Sequence, residues 1–163
     1  MMLLKTLSLC MILSFAVLWG PSKVTSQRLL NRIVHWHDNN CITYEADQRH
    51  ADLIIQETGA EKLGVLTHPG GEKKTIEEEE DSKELFGAEA TRFRAVAARA
   101  NYLAGDRPDI QYAVEELCRR TCKPTKGDVK MVRSLARYLI SKPRMIMKYE
   151  WQDEQSSLVA WSD

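Results

Sequence analysis

Four cations recur at one helical period near the C-terminal end of the chain. They are Lys126, Lys130, Arg133 and Arg137, spaced i, i+4, i+7, i+11. On a helix these four line one side. Such a stripe can neutralise phosphates and release their counterions, which gives salt-sensitive, sequence-independent binding of a polyanion. The plainer alternative is a solvated helix face, and spacing alone leaves both open. Other groups offer less. His35 and His37 flank Trp36 and share one face of a strand, which is half of a metal site. No third ligand follows at a fixed spacing, so paired surface histidines are the simpler reading. Cys118 and Cys122 stand four apart without a second Cys or His pair at zinc-finger spacing. With Cys10 and Cys41 they read as buried thiols of a reduced, intracellular chain. No metal site is assigned. The run Glu77-Glu78-Glu79-Glu80-Asp81 reads as a solvated linker rather than an interaction tail.

The elements that must hold these residues are legible in part. At 163 residues, with 44% hydrophobic and 28% charged content, the chain is long enough for one modest domain of ordinary globular composition. Net charge is zero, yet from Leu85 to Glu150 fourteen basic residues face seven acids, a local charge of +7. The balancing acids gather in Glu72 to Glu84. A basic half suits a polyanionic partner.

Arg32 to His37 and Cys41 to Glu45 are β-branched and aromatic runs around Asp38-Asn39-Asn40, the pattern of a β-hairpin. Asp47 as N-cap and Gly59 as C′ residue bound a helix with Ala51, Ile54, Ile55 and Thr58 on one face. Residues 67–71 break the chain, and Glu72 to Ser82 is polar and acidic enough to stay disordered. Three helices are then expected. The first, about Ala88 to Ala104, buries Phe93, Val96, Ala97, Ala100 and Leu103 and ends at Gly105. The second has Pro108 and Asp109 in its first turn and buries Ile110, Ala113, Val114, Leu117 and Cys118. The third opens on a capping box at Thr125 to Asp128 and buries Val129, Val132, Leu135, Ala136, Leu139 and Ile140. Tyr102 and Leu103 are expected to meet Ile110 and Leu135 in the centre. Alternation at Met145, Met147, Tyr149 and Trp151 predicts a strand, and Leu158 to Trp161 a second one.

Residues 1–26 form a separate apolar leader. Lys5 precedes the run Leu7 to Trp19, and Val24-Thr25-Ser26 places small residues where a signal peptidase could cut. The layout is that of a secretory signal peptide, too short and oddly flanked for a transmembrane helix. A buried element of an upstream domain, or sequence from an aberrant gene model, is the alternative.

One order of motifs is specific. Phe93-Arg94-Ala95-Val96, Asn101-Tyr102-Leu103-Ala104, Arg107 to Val114, Leu117-Cys118-Arg119-Arg120, Pro124, Arg137-Tyr138-Leu139 and Val159-Ala160-Trp161-Ser162-Asp163 follow one another. This series resembles the Pol polyprotein of copia-type retrotransposons, where the reverse transcriptase joins its RNase H domain. The stretch Leu30 to Gly59 is similar to the hairpin and helix that follow the polymerase's aspartate-rich loop. That loop's paired aspartates do not occur in this sequence. Two departures stand out: His50 where an aromatic residue is usual, and Asp128 where a His is common. The resemblance implies that the cationic helix lies alongside template–primer duplex, so that RNA–DNA hybrid or duplex nucleic acid is the partner, with the remainder of the Pol polyprotein. It also implies that Asp163 is the first metal-binding carboxylate of an RNase H site, incomplete here because two-metal hydrolysis needs several converging carboxylates.

The expected architecture is α+β, with a helix-rich, thumb/connection-like core, a β-hairpin near the N-terminal side and closing β-strands. Its expected parts are the leader 1–26, a palm-end hairpin and thumb helix 28–66, an acidic disordered linker 67–84, a three-helix region 85–144, and the first strands of a truncated RNase H domain 145–163. The resemblance implies a non-catalytic fragment of an RNA-directed DNA polymerase/RNase H. Its grip on duplex needs no cofactor, magnesium belonging to the parent enzyme. The location is intracellular, cytoplasm or nucleus, if the chain is Pol-derived. A small secreted or domesticated helical interaction protein is the alternative, secreted if residues 1–26 act as a signal peptide. No membrane partner is expected beyond that signal.

Overall fold

β-branched and aromatic residues in Arg32–Trp36 and Ile42–Glu45 pair antiparallel, Val34 opposite Tyr44 and Trp36 opposite Ile42. They are two strands of a sheet in a computed structural model that describes residues 25–37, 41–70 and 80–150. In chain order the strands are β1 (Ser26–Leu29), β2 (Arg32–Trp36), β3 (Ile42–Glu45) and β4 (Ile146–Tyr149), and each pairs with the next. Every pairing is antiparallel. The fold is α+β, as expected.

The hairpin β2–β3 stands where the sequence places it. His37 N donates to Cys41 O across its mouth at 2.9 Å, and the Asp38-Asn39-Asn40 turn lies outside the described residues. The strand β1 has no counterpart in the sequence reading. It joins β2 through Leu30 and Asn31, both at positive φ (47° and 64°). Two successive left-handed residues make the tight turn that matches strand twist. Asn suits that conformation and Leu does not, so the dipeptide carries none of the usual Asn-Gly signal. The alternation around Met147 does form β4, while the strand expected at Leu158 to Trp161 lies outside the described residues.

The chain divides into two units, Met1–Glu45 with Ile146–Asp163, and Ala46–Met145. The sheet belongs to the first and the helices to the second. Helix α1 (Gln48–Thr58) starts at Asp47, whose carboxylate accepts from Arg49 N at 3.1 Å. It ends at Gly59 in the left-handed region, φ 64°, whose N–H satisfies carbonyls of the last turn. Hydrogen bonding by Arg49 holds the Asp47 carboxyl below its usual range.

Helix α2 (Gly87–Ala104) buries Phe93, Val96, Ala97, Ala100 and Leu103, the face expected of it. It stops at Gly105, but with φ −59° rather than a left-handed cap. A short 3-10 turn over Pro108–Ile110 leads into α3 (Gln111–Arg119), so the expected second helix begins with a tighter first turn. Helix α4 (Lys126–Ser141) carries the expected capping box: Thr125 accepts from Asp128 N, and the Asp128 carboxylate accepts from Thr125 N at 2.7 Å.

Ile54, Leu103, Ile110, Leu117, Leu135 and Leu139 are nearly inaccessible at the centre of the helical unit. Burying one such side chain is worth about 1.5–3 kcal/mol. Tyr102 is not among them. It is 49% exposed, and its ring lies against His50 with centroids 4.6 Å apart. Tyr138 is buried instead.

The sequence reading counts Arg107 as one basic residue among many. In the fold it is 1% exposed and forms the polar hub of the helical unit. Its guanidinium holds the Asp109 carboxylate in a two-pronged contact at 2.9 and 2.7 Å and donates to Lys142 O at 3.0 Å. Tyr138 Oη donates to the same carboxylate at 2.9 Å. The connector before α3 is thereby tied to the C-terminal end of α4. Burial alone would push the Asp109 carboxyl up, but hydrogen bonds from Arg107 and Tyr138 outweigh it and the net direction is down. Among the described residues no helix is long and apolar enough to cross a membrane.

Candidate nucleic-acid interface

The cationic stripe lies on α4, opposite the face that packs Val132, Leu135, Ala136 and Leu139. The capping box fixes where the first turn begins, and the i, i+4, i+7, i+11 spacing then brings all four cations out on one side. Lys126, Lys130 and Arg133 are exposed and Arg137 is half-buried. Two hollows flank this line. One, of ≈ 590 Å³, is walled by the 63–70 segment and α4 and receives Lys130, Arg133 and Arg137. The other, of ≈ 680 Å³, lies toward α1 and α2 and receives Lys126, Lys130 and Arg133. Lys130 and Arg133 therefore stand on the ridge between them.

The four cations differ in what they already hold. Lys126 Nζ donates to Glu80 Oε1 at 2.8 Å. That hydrogen bond raises the Lys126 pKa and lowers that of Glu80. Lys130 is ion-paired with the Asp81 carboxylate, which is 15% exposed. Arg137 donates through Nε to Gly64 O, while Leu66 N donates to Arg137 O at 3.5 Å and Ser141 Oγ to Leu66 O at 2.5 Å. Arg137 thus fastens the 64–66 segment along α4. The Arg133 side chain makes no ion pair or hydrogen bond among the described residues.

Glu80 and Asp81 are the residues that sequence reasoning missed here. They belong to a segment read as linker, yet residues 80–85 are laid against the start of α4. Gly127 N donates to Asp81 O at 3.0 Å, Lys126 N to Lys83 O at 3.0 Å and Leu85 N to Pro124 O at 2.7 Å. Glu84 and Thr125 form an isolated bridge. No local pattern announces this docking, because it satisfies N–H groups at a helix start more than forty residues away.

Asp163 lies outside the described residues. The His35 and His37 rings meet edge to face at 4.4 Å, and His37 Nε2 is 2.9 Å from Thr43 Oγ1. Cys118 is on the last turn of α3, but Cys122 lies beyond its end, so the two do not share a helical face. The buried-thiol reading holds for Cys41; Cys118 is half-buried and Cys122 exposed. Burial raises the Cys118 thiol pKa. No group of three His, Cys, Asp or Glu side chains able to hold a metal ion occurs among the described residues. Comparison with protein-family models, with curated proteins and with solved structures finds no match.

Proposed function

We propose that this chain is a non-catalytic piece of a copia-type retrotransposon Pol polyprotein, in which the helical unit grips template–primer duplex. The observation that carries the binding role is the cationic ridge of α4. Exposed Lys and Arg side chains stand between two hollows, and Arg133 has no partner among the described residues. A ridge of cations beside concave surface suits a phosphate backbone, and because phosphate contacts carry no sequence information the binding is expected to be sequence-independent. The order of motifs from Phe93 to Asp163 supports the origin. On this reading the partners are RNA–DNA hybrid or duplex nucleic acid and the remainder of the polyprotein. The location is intracellular, and magnesium serves only the parent enzyme's chemistry.

The test is the salt dependence of binding to an RNA–DNA hybrid. Lys130→Ala with Arg133→Ala is expected to weaken binding equally for unrelated sequences. It is also expected to reduce the log–log salt slope by about 0.9 for each phosphate that is no longer neutralised. A slope unchanged in the double variant would leave the stripe a solvated face and sink the proposal.

A further inference from the structure

Half of the stripe is occupied by the chain's own acids. Two consecutive carboxylates, Glu80 and Asp81, sit on two consecutive stripe cations, Lys126 and Lys130. Backbone hydrogen bonds from Gly127 and Lys126 to Asp81 and Lys83 hold that short arm in place. These carboxylates put negative charge on two of the stripe cations that phosphates would need. We propose that the Glu80–Asp81 arm is a built-in competitor for nucleic acid, restraining the interface until a duplex displaces its carboxylates from Lys126 and Lys130. This rests on the nucleic-acid reading of α4.

Physically, the exposed Lys126–Glu80 pair is a weak and salt-screened clasp, while the Lys130–Asp81 pair, whose carboxylate is 15% exposed, is more sheltered. A single exposed pair is readily exchanged for a phosphate, whereas two on one arm raise the threshold without blocking binding. The backbone hydrogen bond at Gly127 gives a second handle on the arm. A Cβ at that position would lie 3.2 Å from Asp81 O and 3.3 Å from Asp81 Cβ. Gly127→Ala therefore forces Asp81 to give way by a few tenths of an ångström, loosening the arm's seat while leaving the net charge of the protein unchanged.

The experiment measures affinity of the full chain for a fluorescent RNA–DNA hybrid. The variants are Glu80→Gln with Asp81→Asn, Gly127→Ala, and a charge-matched control, Asp52→Asn with Glu61→Gln, whose side chains are exposed and form no ion pair with a stripe cation among the described residues. The arm variants are expected to bind about threefold or more tightly than the parent, in keeping with the removal of weak surface pairs. The control is expected to gain less, and the gain from the arm variants to vanish when Lys126 and Lys130 are both Ala. Circular dichroism verifies folding, and Glu80→Gln alone, on an exposed pair, serves if the double variant does not fold. Parent-like affinity in both arm variants, or an equal gain in the control, overturns the competitor. Absence of binding by the parent and by every variant overturns the interface reading itself, and the competitor with it.

Discussion

Arg107 shows how a single side chain can be charged, basic and yet no part of a binding surface. It is buried, and its partners are Asp109 and the carbonyls at the end of α4. Arg107→Ala leaves Asp109 beside Tyr138 without its cation. It is expected to cost about 3–5 kcal/mol, the usual penalty for breaking a buried pair. Urea unfolding followed by circular dichroism measures it, and a midpoint shift worth under about 1 kcal/mol, the size of an exposed pair, would mean the hub is dispensable. Asp109 adds a pH signature. Its folded carboxyl is held below the unfolded value of about 3.9, so its stabilisation is fully present above that pH and is lost as pH falls through the depressed folded value. Asp109→Asn is therefore expected to be less stable than the parent at neutral pH, the gap closing as the solution is acidified below about pH 4. A gap constant with pH would assign the effect to shape rather than charge.

Helix by helix, legibility followed the range of the forces involved. Apolar periodicity placed α1, α2 and α4, since each had to bury a stripe and each stripe is written in consecutive turns. Caps made of side chains were legible too, at Asp47 and at Thr125 with Asp128. Thr125→Ala is expected to cost about 1 kcal/mol. Leu135, at 0% exposure, is expected to cost about 2–5 kcal/mol on replacement by Ala. Proteolysis monitored by mass checks the second expectation: protection of the Ala46–Met145 unit should vanish in Leu135→Ala and persist in Thr125→Ala. Equal digestion of Leu135→Ala and the parent would mean the helices do not depend on one core. The torsion at Gly105 and the Leu30-Asn31 turn were not legible in the sequence for one reason. A backbone torsion there is chosen by the neighbouring chain, with Gly105 continuing in a right-handed turn and Leu30 forced to positive φ by strand pairing.

At the scale of the 163-residue chain, the proposed reading assigns it grip and leaves catalysis to the rest of the polyprotein. Two-metal phosphoryl chemistry needs convergent carboxylates, and the sequence has no paired-aspartate loop. The purified chain is accordingly expected to show neither template-directed nucleotide addition nor RNase H cleavage with magnesium. Either activity surviving rigorous purification would refute the fragment reading. Local order in the sequence determined which residues form helices, where α1 and α4 begin, and that four cations share one side of α4. These depend on turn-to-turn spacing and on side chains that bond within a few residues. The uses of those cations were decided by the fold. Arg137 fastens the 64–66 segment, Lys126 and Lys130 meet Glu80 and Asp81, Arg133 stands exposed on the ridge, and Arg107 goes inside. Each outcome depends on which distant carbonyl or carboxylate is brought within hydrogen-bonding reach, a matter of three-dimensional packing that no spacing along the chain records.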